Sequence, residues 1–320
     1  MERSSKSHLI ISLTGGLGNQ LFQVSNIIGS NLEANLLFTK SFGRPRLNDF
    51  GEAEISSFKL PFPHEYTENS EAPYIFRKVL GHTLKISEHP KGYENSGLYF
   101  SLVKLLSSIL ATVYYRKITI VRTNRDKPLV RGSKFCNYLM VGYFQCMSKE
   151  SKVLSKEVLS KIEISRKTVR LEREMTYALA HKIIFVHIRL TDYLNEPAIG
   201  LLSSNYFNQA LQVYLNGVPF NEIWIFSDDH VMASKVLSIP VNVKVRYIAE
   251  TDFSVAESFE LLRCGSYYVL SNSTFGWWAA FLCRKMDPLV VMPSPWFRNL
   301  DYDSSLNIEN WKQIPAEWSE

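Results

Sequence analysis

From about residue 180 onward, short apolar runs alternate with longer amphipathic ones. Ile183–Arg189, Glu222–Phe226, Val243–Ile248, Tyr267–Leu270 and Leu289–Met292 are rich in β-branched and aromatic residues and too short for helices, which predicts strands. Between them, Tyr206–Leu215, His230–Leu237, Ser254–Cys264 and Phe275–Cys283 carry apolar residues at helical spacing. This alternation predicts a parallel, doubly wound α/β sheet. The chain opens in the same way, with an apolar run Leu9–Leu13, a glycine-rich turn and a helical pattern from Asn19.

Two stretches fit that rhythm less well. Leu98, Leu102, Leu105, Ile109 and Val113 repeat at helical spacing through an apolar stretch that ends near Tyr115. Lys104 and several Ser and Thr residues interrupt it, which disfavours a membrane span. The pattern predicts a packed amphipathic helix, with a basic, membrane-facing helix as the alternative. Ser148–Lys167 is charged, shows no core pattern and reads as a link between two halves. The expected division is an N-terminal α/β domain over 1–165, a C-terminal nucleotide-sugar-binding domain over 166–300 and a tail over 301–320. The N-terminal domain is expected on the acceptor side, with a basic and apolar insertion near 72–127.

Composition narrows the class. A chain of 320 residues that is 46% hydrophobic is not disordered and is long enough for two cores. The four Cys are too few for a disulfide framework, and none are spaced C-x-x-C. Met1–His8 has no apolar h-region behind it, so no secretory signal is expected and the location reads as cytoplasmic. The net charge of +5 requires no nucleic acid partner, and its position is more informative than its size. Residues 72–127 carry 10 basic and 3 acidic groups, against 6 and 8 before them and 20 and 20 after them. A basic segment beside an apolar helix fits peripheral contact with an anionic membrane surface.

Three segments hold candidate chemistry. Gly15-Gly16-Leu17-Gly18-Asn19-Gln20 follows the first strand, where glycines allow a tight turn and close approach to a ligand at a helix N-terminus. It is not a P-loop, since no Lys-Ser/Thr pair follows, and Leu21 stands at the third glycine of the dinucleotide fingerprint. A plain strand–helix turn explains the glycines but not Asn19-Gln20. The second segment is His187-Ile188-Arg189-Leu190-Thr191-Asp192-Tyr193. Ile184, Val186, Ile188 and Leu190 share one strand face, and Ile183, Phe185, His187 and Arg189 the other. A guanidinium at the carboxyl end of such a strand suits a phosphate. Asp192 has three open roles: capping a helix, orienting Arg189 or accepting a proton. The third is Ser271-Asn272-Ser273-Thr274-Phe275-Gly276-Trp277-Trp278, where Ser273 or Thr274 can cap a helix whose first N–H groups suit a phosphate oxygen. Trp277 and Trp278 read as core, and the Asn272 sequon is discounted as half buried. Ser227-Asp228-Asp229 reads as a helix N-cap, and Asp301-Tyr302-Asp303 as a loop with no metal role.

Together these segments resemble the α-1,2-fucosyltransferases of glycosyltransferase family 11. Gly15 to Gln23 matches the family's opening Gly-Gly-x-Gly-Asn-Gln-x-Phe-Gln stretch. His187 to Tyr193 is similar to His-x-Arg-Arg-x-Asp-Tyr, Asn272 to Trp278 to Asn-Ser-x-Phe-x-Trp-Trp, and Val141 to Gln145 to a further family segment. The matches fall in order over about residues 8–293, while 40–135 match no family segment. The resemblance implies a GT-B type fold, two Rossmann-like domains facing across a cleft. It implies GDP-β-L-fucose as donor, inversion at the anomeric carbon, transfer to the 2-hydroxyl of a β-galactosyl acceptor glycan, and no metal or other cofactor. A lipid-linked acceptor would fit the membrane alternative. It also implies that Arg189 holds the diphosphate while Ser273 and Thr274 line its site. His187 would help place the nucleotide, and Asn19, with Gly16 and Gly18, would face the donor from the other domain. Asp192 is the candidate base. Leu190 departs from the family's second arginine. That departure favours a non-catalytic binding protein with a degenerate site; another nucleotide sugar stays open because spacing does not show the donor contacts, and a dehydrogenase is more distant because the fingerprint fails.

Overall fold

The computed structural model describes residues 7–28, 35–42, 45–67, 72–88, 97–124, 135–249, 251–299 and 304–319. The chain divides into two units, residues 1–56 with 60–162 and residues 57–59 with 163–320.

The first unit is built on β1 (His8–Ser12), β2 (Asn35–Thr39), β4 (Glu65–Tyr66), β5 (Thr119–Arg122) and β6 (Asn137–Met140). They form a parallel sheet in the order β4-β2-β1-β6-β5. Helices α1 (Leu17–Ile28), α2 (Tyr74–Glu88), α3 (Gly97–Tyr115) and α4 (Lys149–Leu159) complete it. Ile10, Phe76, Leu80, Ala111, Val121 and Leu139 form a core between the sheet, α2 and α3.

The link expected over Ser148–Lys167 is instead mostly helix α4, capped by Ser148 through the Ser151 N–H at 3.1 Å. Its buried face holds Ser155 as well as Leu159, and Ser155 Oγ lies 3.5 Å from the Ser25 carbonyl oxygen of α1. A small polar residue at the helix–helix contact erased the apolar period that would have shown it.

The helix α3 forms where the periodicity places it, but the packed-helix expectation is inverted. Ser107 and Ala111 are its buried residues, whereas Leu98, Leu102, Leu105, Ile109 and Val113 are exposed. Small side chains let α3 approach α2 and β5 closely, and the large ones point outward.

The second unit carries β8 (Ile183–Ile188), β9 (Glu222–Ser227), β10 (Val245–Ile248), β11 (Tyr267–Leu270), β12 (Leu289–Ser294) and β13 (Lys312–Pro315). All neighbours are parallel, in the order β10-β9-β8-β11-β12-β13. Counted from β8 this is 3-2-1-4-5-6, the doubly wound dinucleotide-fold order, which reverses between β8 and β11. Every strand predicted from the alternation is present, and β13 adds an edge strand from the stretch read as a tail. Helices α5 (Val169–Ala180), α6 (Ser204–Leu215), α7 (His230–Val236), α8 (Val255–Leu262) and α9 (Thr274–Phe281) flank the sheet. Ile184, Val186, Ile188 and Leu190 pack with Tyr206 and Leu211 of α6, as the strand alternation predicts. A two-residue strand β3 (Phe58–Lys59) pairs antiparallel with β7 (Glu163–Ile164) at the start of this unit. The fold is α/β of GT-B type, two Rossmann-like units.

Candidate functional site

In open α/β sheets, ligands bind beyond the carboxyl ends of the strands where the order reverses. In the second unit that point lies between β8 and β11, and the loops leaving these strands carry His187 to Tyr193 and Ser271 to Thr274. Ser271 N donates to the His187 carbonyl at 3.0 Å, and Tyr193 Oη to the Asn272 carbonyl at 3.2 Å. The fold therefore brings His187, Arg189, Asp192, Ser273 and Thr274 into one region.

Arg189 is its charged centre. Nε donates to Asp192 Oδ1 at 2.7 Å and Nη2 to Oδ2 at 2.8 Å, a bidentate pair, while Asp228 Oδ2 lies 3.4 Å from Nε. Burial works against the charge, but Asp192 and then Asp228 hold the guanidinium above its ordinary value. It is a permanent cation in a fixed orientation.

Asp228 was missed in the sequence because Ser227-Asp228-Asp229 reads as a cap. Only Asp229 caps, accepting from Met232 N at 2.9 Å. Asp228 accepts from Leu190 N and Thr191 N at 2.9 Å each and from Thr191 Oγ1 at 2.6 Å. It thus fixes the backbone just past β8. Burial raises its carboxyl pKa, yet Thr191 and Arg189 bring it below the usual carboxylate value. No sequence signal separates it from Asp229; the register of β9 beside β8 does.

His187 is buried beneath the first turn of α9. Its Nδ1 lies 3.1 Å from Ser271 Oγ, and its ring stacks on Phe275 at 5.8 Å between centroids. Burial, and secondarily the charge of Arg189, pushes the imidazole down to about 4, so it is neutral near pH 7. A Cβ on Gly276 would stand 2.9 Å from His187 Nδ1, so glycine allows α9 to sit this close.

Ser273 occupies the N-cap position of α9 but makes no side-chain cap bond, unlike the expectation. Asn272 is only 2% exposed, its Nδ2 donating to the Gly200 carbonyl at 3.0 Å. The sequon is thus locked in the loop. Trp277 and Trp278 are core, as predicted. Leu190, at the family's second arginine, packs among Leu202 and Tyr206, so its side chain belongs to the core beside α6. Asp301 to Asp303 lie outside the described residues.

The glycine-rich segment belongs to the first unit and meets its fourth matching segment there. Asn19 Oδ1 accepts from Gln145 Nε2 at 2.8 Å, and Gln23 Nε2 donates to the carbonyls of Ser12 at 3.1 Å and Gly142 at 2.8 Å. Gln23 Oε1 accepts from Thr14 N at 3.2 Å. Gln20 Nε2 donates to the Gly15 carbonyl at 2.9 Å, and its Oε1 accepts from Ile55 N at 2.9 Å. Gly15 adopts φ +70°, where a side chain would be strained and would strike Asn19. The free helix N-terminus expected here is partly filled: the buried Glu54 carboxylate accepts from Leu17 N at 2.5 Å. Gly16 lies within 3.5 Å of that carboxylate when given a Cβ, and Gly18 is buried in α1.

Comparison with known proteins adds the family. The chain is 30% identical over 131 residues to the O-antigen biosynthesis glycosyltransferase WbnK of Escherichia coli, a match covering 39% of this chain and 42% of that one, less than half of that relative's length. It is 23% identical over 323 residues to an Escherichia coli α-1,2-colitosyltransferase, covering 98% of each. Among solved structures, fucosyltransferase NodZ from Bradyrhizobium superposes with a TM-score of 0.46 at 12% identity, over 87% of this chain and 92% of that one. The sequence model of glycosyl transferase family 11 matches residues 107–312, a span that contains Arg189 with both of its carboxylates and the whole of α9. By that match the chain belongs to glycosyl transferase family 11.

Proposed function

We propose that this protein is an inverting fucosyltransferase, moving L-fucose from GDP-β-L-fucose to the 2-hydroxyl of a β-galactosyl acceptor and forming an α-1,2 linkage. The observation that carries the reading is the oriented Arg189 guanidinium at the switch point between β8 and β11, beside the N-terminus of α9. As the bond to fucose breaks, negative charge gathers on the departing GDP. A fixed cation and the first N–H groups of α9 stabilise that charge without reorganising, and one such donor is worth ~2.7–4 kcal/mol. In this reading they supply the charge that a divalent metal would otherwise supply, and the reaction is insensitive to chelator. Ser273 and Thr274 line the diphosphate site, and His187 supports it from below as a neutral ring. Gly16, Gly18 and Asn19 are donor contacts in the same proposal, read out as the donor KM of Asn19→Ala.

Asp192 orients Arg189 through both oxygens. To act as the base for the acceptor hydroxyl it must first release an oxygen, which the incoming diphosphate drives by competing for the same N–H groups. A second donor, GDP-colitose, is favoured by the relative that aligns over 98% of both chains. Colitose is fucose without its 3-hydroxyl, so one pocket accommodates either ring. A degenerate, non-catalytic site is disfavoured because Arg189 keeps its bidentate pair with Asp192 while Leu190 packs into the core beside α6.

The test combines two measurements on the purified chain. GDP should raise the melting temperature where UDP and ADP do not. GDP release from GDP-fucose should then depend on a β-galactoside acceptor. A preference for UDP refutes the donor class; faster release from GDP-colitose reassigns the sugar; no release from any donor refutes an enzyme.

A further inference from the structure

An exposed apolar row on a helix requires a reason. On α3, Leu98 is 77% exposed, Leu105 57% and Val113 71%, and Leu102 and Ile109 lie in the same row. The spacing of three and four residues places all five along one face. The opposite face packs inward through Ala111 and through hydroxyls bonded to its neighbours. Ser107 Oγ lies 2.7 Å from Thr83 Oγ1 of α2, Ser108 Oγ accepts from Val121 N of β5 at 3.1 Å, and Thr112 Oγ1 accepts from Thr119 N at 3.0 Å. Among the described residues, α3 is the one helix long and apolar enough to cross a membrane. Crossing would strip these bonds from β5 and leave its backbone groups unpaired in hydrocarbon. Lying flat on a surface keeps every one of them.

The surrounding charge selects the surface. Residues 72–127 hold 10 basic and 3 acidic groups, and Arg116 and Lys117 lie directly after α3. Pairing this face with a second copy would bring two basic surfaces together. An anionic bilayer meets both features, with acyl chains for the leucines and phosphates for the cations.

We propose that the outward face of α3 is a peripheral docking surface for anionic lipid bilayers, with its leucine row inserted below the headgroups and Arg116 and Lys117, directly after the helix, at phosphate level. This surface is independent of the donor bound by the second unit.

The test is sedimentation of the full chain with vesicles of equimolar phosphatidylcholine and phosphatidylglycerol, against phosphatidylcholine alone. Partitioning into the anionic vesicles should be at least ~10-fold stronger and should weaken as salt shortens the screening length below about 10 Å. L102S/L105S/I109S should lower partitioning at least ~10-fold while retaining the wild-type melting temperature, because the residues replaced are exposed. L98S/V113S gives a second variant at the two ends of the row, with a smaller loss in the same direction. R116Q/K117Q should remove the salt-dependent part. Equal binding to neutral and anionic vesicles overturns the proposal, as does wild-type binding by both leucine variants. A dimer in light scattering that the leucine variants dissolve, without vesicle binding by wild type, assigns the face to a second copy instead.

Discussion

Both sheets reverse their strand order beside their first strand, and both place a family segment at that point, yet the two reversals end differently. In the second unit the loop after β8 presents a guanidinium fixed by Asp192 and Asp228. In the first unit the loop after β1 turns its polar groups on itself, with Gln20, Gln23 and Glu54 satisfying loop backbone and the start of α1. The same topological position can therefore carry charge for a ligand or can be closed by its own side chains. A glycine-rich motif does not distinguish the two cases; the carboxylates and amides facing it do.

The largest effect should come from the charged end. Arg189→Ala is expected to cut turnover at least ~100-fold with the fold retained, read from GDP release and circular dichroism. Near-normal turnover would remove the distinction between the two reversals.

Next is a pH effect confined to the second unit. Unfolded, His187 takes up a proton near the ordinary value of 6.5; folded, burial delays uptake to about 4. Between those values the unfolded chain binds more protons, so stability falls as pH drops from 6.5 toward 4 and is flat in this respect above 6.5. The loss should reach up to ~3 kcal/mol, and His187→Phe should flatten it in thermal melts across that window.

The closed end should respond in stability instead. Gln23→Ala leaves a buried N–H and two buried carbonyls short of partners, and a loss of about 1–3 kcal/mol is expected in denaturant melts. Turnover of the folded fraction should stay within a few-fold; a collapse of turnover without loss of stability would make this loop the equal of the Arg189 site. The smallest effect is expected at Asp192→Asn, about tenfold and mainly in donor KM, as fits an orienting partner. A general base would instead lose ~10²–10⁴ in kcat, and normal turnover across pH would exclude the base role.

The parts of this molecule that were legible in the sequence are those whose pattern was uniform. Tyr267–Leu270 and Ile183–Val186 are buried along their whole length, so they appear as unbroken apolar runs. The edge strand β13 contains Lys312, Gln313 and Pro315, and only Ile314 is buried, so it had no such run to show. Arg189, His187 and the β11–α9 loop were found because polar residues break an apolar strand at its carboxyl end. Asp228 was not, because a second aspartate beside it explains the same residues as a cap.

The α3 row is the sharpest case. Helical spacing revealed that Leu98 to Val113 share a face, but periodicity carries no sign for which face is covered, and Ser107 and Ala111 proved to be the packed side. By itself the sequence determined the alternation of strands and helices, the family segments and the cation among them, because these depend on neighbours along the chain. Which aspartate holds Arg189, which carboxylate fills the start of α1 and which side of α3 faces water were decided only by tertiary structure. Each depends on what a distant segment presents within hydrogen-bond or van der Waals reach.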